Sequence, residues 1–161
     1  MSEPSPEPQE RTFLVVVDNT EELHVALRFA SLRAKKTGGR VALLYVVEPA
    51  DFQHWMAVED LMREEGRQEA EAVLQKYSAE VQEWSGKTPV FYLREGKLRD
   101  ELLKLIDEDQ SISVLVLGAA TGTEGPGPLI SSLAGKMTSD LRVPLTIVPG
   151  YLTDEQLESL T

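Results

Sequence analysis

Short, continuously apolar runs alternate along this chain with longer segments whose apolar residues recur at helical spacing. Residues 12–17 read Thr-Phe-Leu-Val-Val-Val, β-branched or apolar at consecutive positions, which predicts a strand buried on both faces. It stops at Asp18-Asn19-Thr20. There the period changes: Leu23, Ala26, Leu27, Ala30 and Ala34 share one helical stripe, Glu21 and Glu22 are expected in its first turn, and Gly38-Gly39 ends it. A second strand is expected over 41–47, closed by Glu48-Pro49. A long helical region follows from Phe52 to Trp84, with Gly66 as its expected break and Ala70, Val73, Leu74, Tyr77, Val81 and Trp84 on one face.

The alternation continues with a third strand over 90–93 and a helix from Gly96 that carries Leu98, Leu102 and Ile106. A fourth strand over 112–117 stops at Gly118. Leu129, Leu133, Met137 and Leu141 recur every four residues and predict one further helix before a fifth strand over 144–148. Alternating strands and helices with buried strands imply an α/β fold: an open parallel sheet whose right-handed crossovers place helices on both faces. Residues 11–150 form this domain. The first ten residues, with three prolines, three glutamates and no large apolar residue except Met1, are expected to be a disordered acidic tail. Residues 151–161 are expected to be a packing or interaction tail with a short helix capped at Thr153-Asp154-Glu155.

Composition narrows the chemistry. A chain of 161 residues is one domain by size, and no cysteine is present, which removes disulfides, thiolate metal sites and cysteine nucleophiles together. Sixteen basic against 27 acidic residues give a formal net charge of -11, so nucleic acid and anionic lipid are not expected partners. No apolar run approaches the roughly 20 residues that span a bilayer, and the start lacks the pattern of a signal peptide, so a cytoplasmic location is expected.

In open parallel sheets ligands settle beyond the carboxyl ends of the strands, where the strand order reverses. The candidate lining is Asp18, Val46 and the glycine-rich segment 118–132, whose backbone N–H groups would approach phosphate. Sharper motifs fail. Gly135-Lys136 lacks the earlier glycine and the following hydroxyl of a Walker loop, since Ile130 and Met137 stand there. The first strand is followed by Asp18-Asn19-Thr20-Glu21-Glu22 and not by a dinucleotide fingerprint. The places where response-regulator receivers keep an aspartate and a lysine hold Arg94-Glu95-Gly96 and Pro149-Gly150. Ser131-Ser132 has no nucleophile elbow, and His24 and His54, both expected to be solvated helix residues, lie far from it in sequence. No catalytic constellation is found.

The element order resembles the universal stress protein family over residues 11–149, with Val-Val-Val-Asp18-Asn at the first strand end, Leu-Tyr-Val46-Val-Glu-Pro at the second, Val-Leu-Val-Leu-Gly118 at the fourth and Val143-Pro144-Leu-Thr-Ile-Val at the close. The resemblance implies an adenine-nucleotide alpha-hydrolase-like sheet of strand order 3-2-1-4-5, and a homodimer joined through the fifth strand, Leu145 to Val148. Nucleotide-binding members carry a glycine, two residues, a second glycine, nine residues and then Gly-Ser or Gly-Thr. Counted from Gly118, the second glycine becomes Thr121, with Gly122 one place late, and the final pair becomes Ser131-Ser132. Asp18 matches the acidic position that contacts the nucleoside, and Val46 the position whose backbone meets adenine.

Two function classes follow from that resemblance. The first is a non-enzymatic stress-response or signalling module that acts as a dimer and through protein partners, with a degenerate nucleotide crevice. The alternative is a sensor of ATP or another adenine nucleotide, with slow hydrolysis or none, and with magnesium or manganese neutralising the phosphates in place of the basic residues the loop lacks.

Overall fold

The computed structural model describes residues 10–18, 20–48, 56–135 and 138–161, apart from the side chains of 56–60. Expectations that fall elsewhere, namely the tail over 1–9, the helix start at Phe52, His54 and the positions of Lys136 and Met137, lie outside the described residues. Five strands, β1 (Thr12–Val16), β2 (Arg40–Val47), β3 (Val90–Glu95), β4 (Ile112–Ala119) and β5 (Leu145–Pro149), form one parallel sheet of order β3-β2-β1-β4-β5. The helices are α1 (Leu23–Thr37), α2 (Met56–Ser85), α3 (Leu98–Glu108), α4 (Pro128–Ala134) and α5 (Asp154–Leu160).

Because successive side chains of a strand point to opposite faces, the unbroken apolar run of β1 divides between two cores. Phe13 and Val15, with Val17 just beyond, join Leu23, Leu27, Leu74, Val81 and Leu157 under α1, α2 and α5. Leu14 and Val16 join Leu102, Ile106, Leu115, Ile130 and Leu133 under α3 and α4. The sheet is covered on both sides for that reason, and a polar residue at any β1 position would face one core or the other.

Four local expectations are corrected. Glu21 and Glu22 precede α1: Glu22 is its N-cap and no acidic residue occupies the first turn. Gly66 does not break α2, which runs unbroken through it; a β-carbon there would stand 3.3 Å from Val47 Cγ1, so the glycine marks a close approach of helix to strand. β4 continues through Gly118 to Ala119. The four-residue spacing of Leu129, Leu133 and Leu141 is not one helix: α4 ends at Ala134, and Thr138 begins a 3₁₀ turn, Thr138–Asp140. Thr138 Oγ1 donates to the carbonyls of Leu133 (2.8 Å) and Gly135 (3.0 Å), serving helix-end carbonyls that a continued helix would use itself. Leu141 still packs on the α3–α4 core from beyond the break.

The carboxyl-terminal helix is capped as its sequence predicts. Gln156 N donates to Thr153 Oγ1 (3.2 Å) while Thr153 N donates to Gln156 Oε1 (2.9 Å). Leu157 is fully buried against α1, Arg28 pairs with Asp154 (3.5 Å) and Glu158 (3.6 Å), and an Arg33 guanidinium N–H donates to Thr161 O (3.1 Å).

Candidate functional site

Strand order reverses between β1 and β4, since β2 lies beside β1 on one side and β4 on the other. The loops leaving these two strands diverge to opposite faces, and a crevice opens at their carboxyl ends. Asp18 begins it. Its Oδ1 accepts from Thr20 N (3.1 Å) and Thr20 Oγ1 (2.5 Å), an Asx turn that bends the chain from β1 towards α1. The turn carries Glu22 over the end of β4, where its carbonyl oxygen and Cβ press on Gly118 and its Cβ also approaches Gly150.

Opposite, the chain leaving β4 folds back on itself: Ala120 N donates to Pro126 O (3.1 Å), and Gly125 (φ 94°) and Gly127 (φ 113°) occupy the left-handed half of backbone space before Pro128 opens α4. Between these walls lies a cavity of about 150 Å³. Apolar residues, among them Val16, Leu98, Leu117, Pro126 and Leu129, make most of its wall, and its charged members are Asp18 and Glu22. The α3 wall is held by Glu48, whose Oε1 accepts from Leu98 N (3.2 Å) at a helix start with no side-chain cap of its own.

Of the residues singled out from the sequence, the cavity brings together Asp18 and Gly118. Val46 lies near the end of β2 and packs half-buried on the α3–α4 core, outside the cavity wall. Thr121 and Gly122 are exposed in the loop, and Ser131 and Ser132 lie on α4; none of the four lines the cavity. The left-handed positions are Gly125 and Gly127, not Gly122. Pro126 and Gly127, inside the expected segment 118–132, also line the cavity, whereas sequence reasoning missed Glu22, Leu98 and Gly150. For Gly127 a signal was present, a glycine directly before a proline that opens a helix. Glu22 and Gly150 have none, because the packing of Glu22 on Gly118 and of Gly150 on Ala119 and Glu22 is tertiary.

Among the described residues no group of three or more His, Asp or Glu is arranged to hold a metal ion, and no helix is long and apolar enough to cross a membrane. His24 is half-exposed on α1, 3.7 Å from Asp154 and edge-on to Trp84, so it belongs to the α1–α5 contact. The largest displaced titration is that of Tyr92, at the far end of the molecule where α3 gives way to β4. Burial, with the Tyr92 hydroxyl donating to Asp109, pushes the phenol up to about 12. Burial alone would raise the Asp109 carboxyl too, but Ser111, Tyr92 and the charge of Arg142 outweigh it and hold the group below its usual range.

A universal stress protein family model matches residues 10–149. The chain belongs to the universal stress protein family. Its fold is that of UspA from Lactobacillus plantarum (TM-score 0.71, 16% identity, covering 88% of this chain and 99% of that one). A universal stress protein of Archaeoglobus fulgidus solved in complex with dAMP is similar (TM-score 0.60, 18% identity, 88% of this chain and 99% of that one). So is a universal stress protein solved in complex with cAMP (TM-score 0.62, 18% identity, 88% and 98%). A comparison with curated proteins returns no significant match. In this universal stress protein the structure gives Gly118 a packing role, as the seat of Glu22.

Proposed function

We propose that this universal stress protein is a non-enzymatic stress-response or signalling module that acts as a dimer and through protein contacts, its nucleotide crevice reduced. The observation that carries the reading is the character of the cavity. At about 150 Å³ it falls below the roughly 300–1,000 Å³ of ordinary small-molecule sites, and its charged walls are the two acids Asp18 and Glu22 with no lysine or arginine. A triphosphate does not fit such a lining: Pro126 and Pro128 contribute no N–H, and the acids oppose its charge.

The alternative, a sensor of an adenine nucleotide, draws support from relatives solved with cAMP and dAMP and from the presence of Asp18 and Gly118 together at the strand ends. Titration calorimetry with ATP, dAMP and cAMP, each with and without magnesium or manganese, separates the two. The reduced crevice is expected to give dissociation constants above roughly 100 μM, about -5.5 kcal/mol or weaker. A nucleotide that binds more tightly and depends on Asp18, or that is released in stoichiometric amount when gently purified protein is denatured, would replace this reading with the sensor.

A further inference from the structure

A second cavity, of about 330 Å³, opens at the amino ends of the strands, the opposite end of the sheet from the crevice. Its wall is Arg11 before β1, Phe13 in β1, Phe29 and Arg33 on α1, Ser113 and Val114 in β4, and Thr146 in β5. Its charge is the reverse of the molecule's. In a chain of net charge -11, two guanidinium groups and no carboxylate line this space. Among the described residues neither Arg11 nor Arg33 forms an ion pair with a side-chain carboxylate, whereas Arg28, Arg40, Arg63 and Arg94 each do.

The two arginines differ in freedom. Arg33 is half-buried and one of its N–H groups is fixed on Thr161 O (3.1 Å), which orients the planar fork before any ligand arrives. Arg11 is exposed at the mouth. The remaining wall is Phe13, inside the core, Phe29, half-buried, and Val114, with the hydroxyl residues Ser113 and Thr146 beside them. Ser113 Oγ donates to Ser111 O (3.1 Å), so that hydroxyl offers lone pairs and not a proton to the cavity. The charged donors for an anion are therefore the guanidinium groups, which match the two oxygens of a carboxylate, with the Thr146 hydroxyl as the one further side-chain donor in the wall.

We infer that this cavity binds a small organic carboxylate with an aromatic body, the carboxylate between Arg11 and Arg33 and the ring against Phe13 and Phe29. The volume lies at the lower end of the range for small-molecule sites and suits a single ring with a short side chain. The site is independent of the nucleotide crevice and of what that crevice holds.

The test is a titration of the ¹⁵N-labelled full chain with 3-phenylpropionate, with its uncharged amide and inorganic phosphate as comparisons. Saturable shifts are expected at Phe29, Arg33, Val114 and Thr146, with the amide and phosphate each at least tenfold weaker. Arg11→Gln, which alters an exposed side chain and leaves the core intact, should weaken phenylpropionate tenfold or more. Absence of saturation by 10 mM, shifts confined to the Asp18 and Gly118 region, equal binding of the amide or of phosphate, or indifference to Arg11→Gln each overturns the assignment.

Discussion

The carbonyl oxygen of Glu22 lies where a side chain on Gly118 would begin, closer than a β-carbon and an oxygen can approach. The turn after β1 and the end of β4 thus share one space, and the glycine there is demanded by packing whether or not a phosphate ever binds. Backbone cannot swing aside as a flexible side chain does. Gly118→Ala is therefore expected to cost about 1–3 kcal/mol, as overpacked core sites do, in protein without ligand. Gly122, whose added β-carbon would meet nothing within 4 Å and whose φ is not left-handed, should accept alanine within about 0.5 kcal/mol. Urea denaturation of both variants checks the contrast; equal costs would mean that Glu22 relaxes out of the way.

The Tyr92–Asp109 contact makes a pH prediction with a definite sign. Asp109 has a folded-state pKa below its ordinary value of 3.8, so its contribution is fully present above that pH and is lost as the pH falls through the lower folded value. Tyr92, raised from 10.0 to about 12, contributes below pH 10 and loses that contribution as the pH climbs towards 12. Tyr92→Phe removes the hydroxyl donor. The Asp109 pKa should then move back up, seen by carboxyl ¹³C titration, with a stability loss of about 1 kcal/mol at neutral pH. An unmoved Asp109 titration would show that Ser111 and Arg142 suffice.

How far the fold was legible depends on whether a residue's role is local. The run over 12–17 could only be a strand buried on both sides, and the capping box at Thr153 declares a helix start within four residues. Gly66 misled because a glycine inside a helical stripe reads as a break, whereas its cause is Val47, which comes from another element. Leu129, Leu133 and Leu141 misled in the opposite direction: apolar spacing persisted across a helix end because Leu141 reaches the same core after the 3₁₀ turn. At the site, Asp18 and Gly118 were readable as strand-end positions. Thr121 and Ser131 were placed by counting along a motif, and such counting does not show that the chain leaving β4 turns back at Gly125 and Gly127.

The α5 helix is a test of whether the last residues stabilise the domain. Leu157 is fully buried in the core under α1, so Leu157→Ala is expected to cost about 2–5 kcal/mol, the range for a large aliphatic removed from a packed site. Glu158→Ala, which breaks an exposed pair with Arg28, should cost no more than about 1 kcal/mol. Thermal unfolding of the two variants distinguishes a packed helix from an ornament: a Leu157→Ala effect as small as that of Glu158→Ala would show that α5 adds little to the core.

The dimer proposed through β5 predicts which backbone donors matter. Pro144 O accepts from Leu115 N (3.0 Å) and Gly150 N donates to Ala119 O (3.0 Å), so the backbone groups of these even-numbered positions face β4. Groups alternate along a strand, which turns Thr146 and Val148 towards β4 and leaves Leu145 and Ile147 facing outward along the open edge. Beside that edge Ile147 is 40% exposed and Tyr151 is 73% exposed, apolar surface a partner strand and its flanks would cover. Proline at 147 removes an outward N–H and leaves the β4 ladder intact, because edge positions tolerate it. Ile147→Pro should therefore yield a folded monomer in sedimentation velocity at micromolar concentration, while the unmodified chain sediments as a dimer. Thr146→Pro, which strips a donor aimed at β4, should instead lower the unfolding midpoint as well. A monomeric unmodified chain, or an Ile147→Pro variant that stays dimeric, would show that the fifth strand is not the contact.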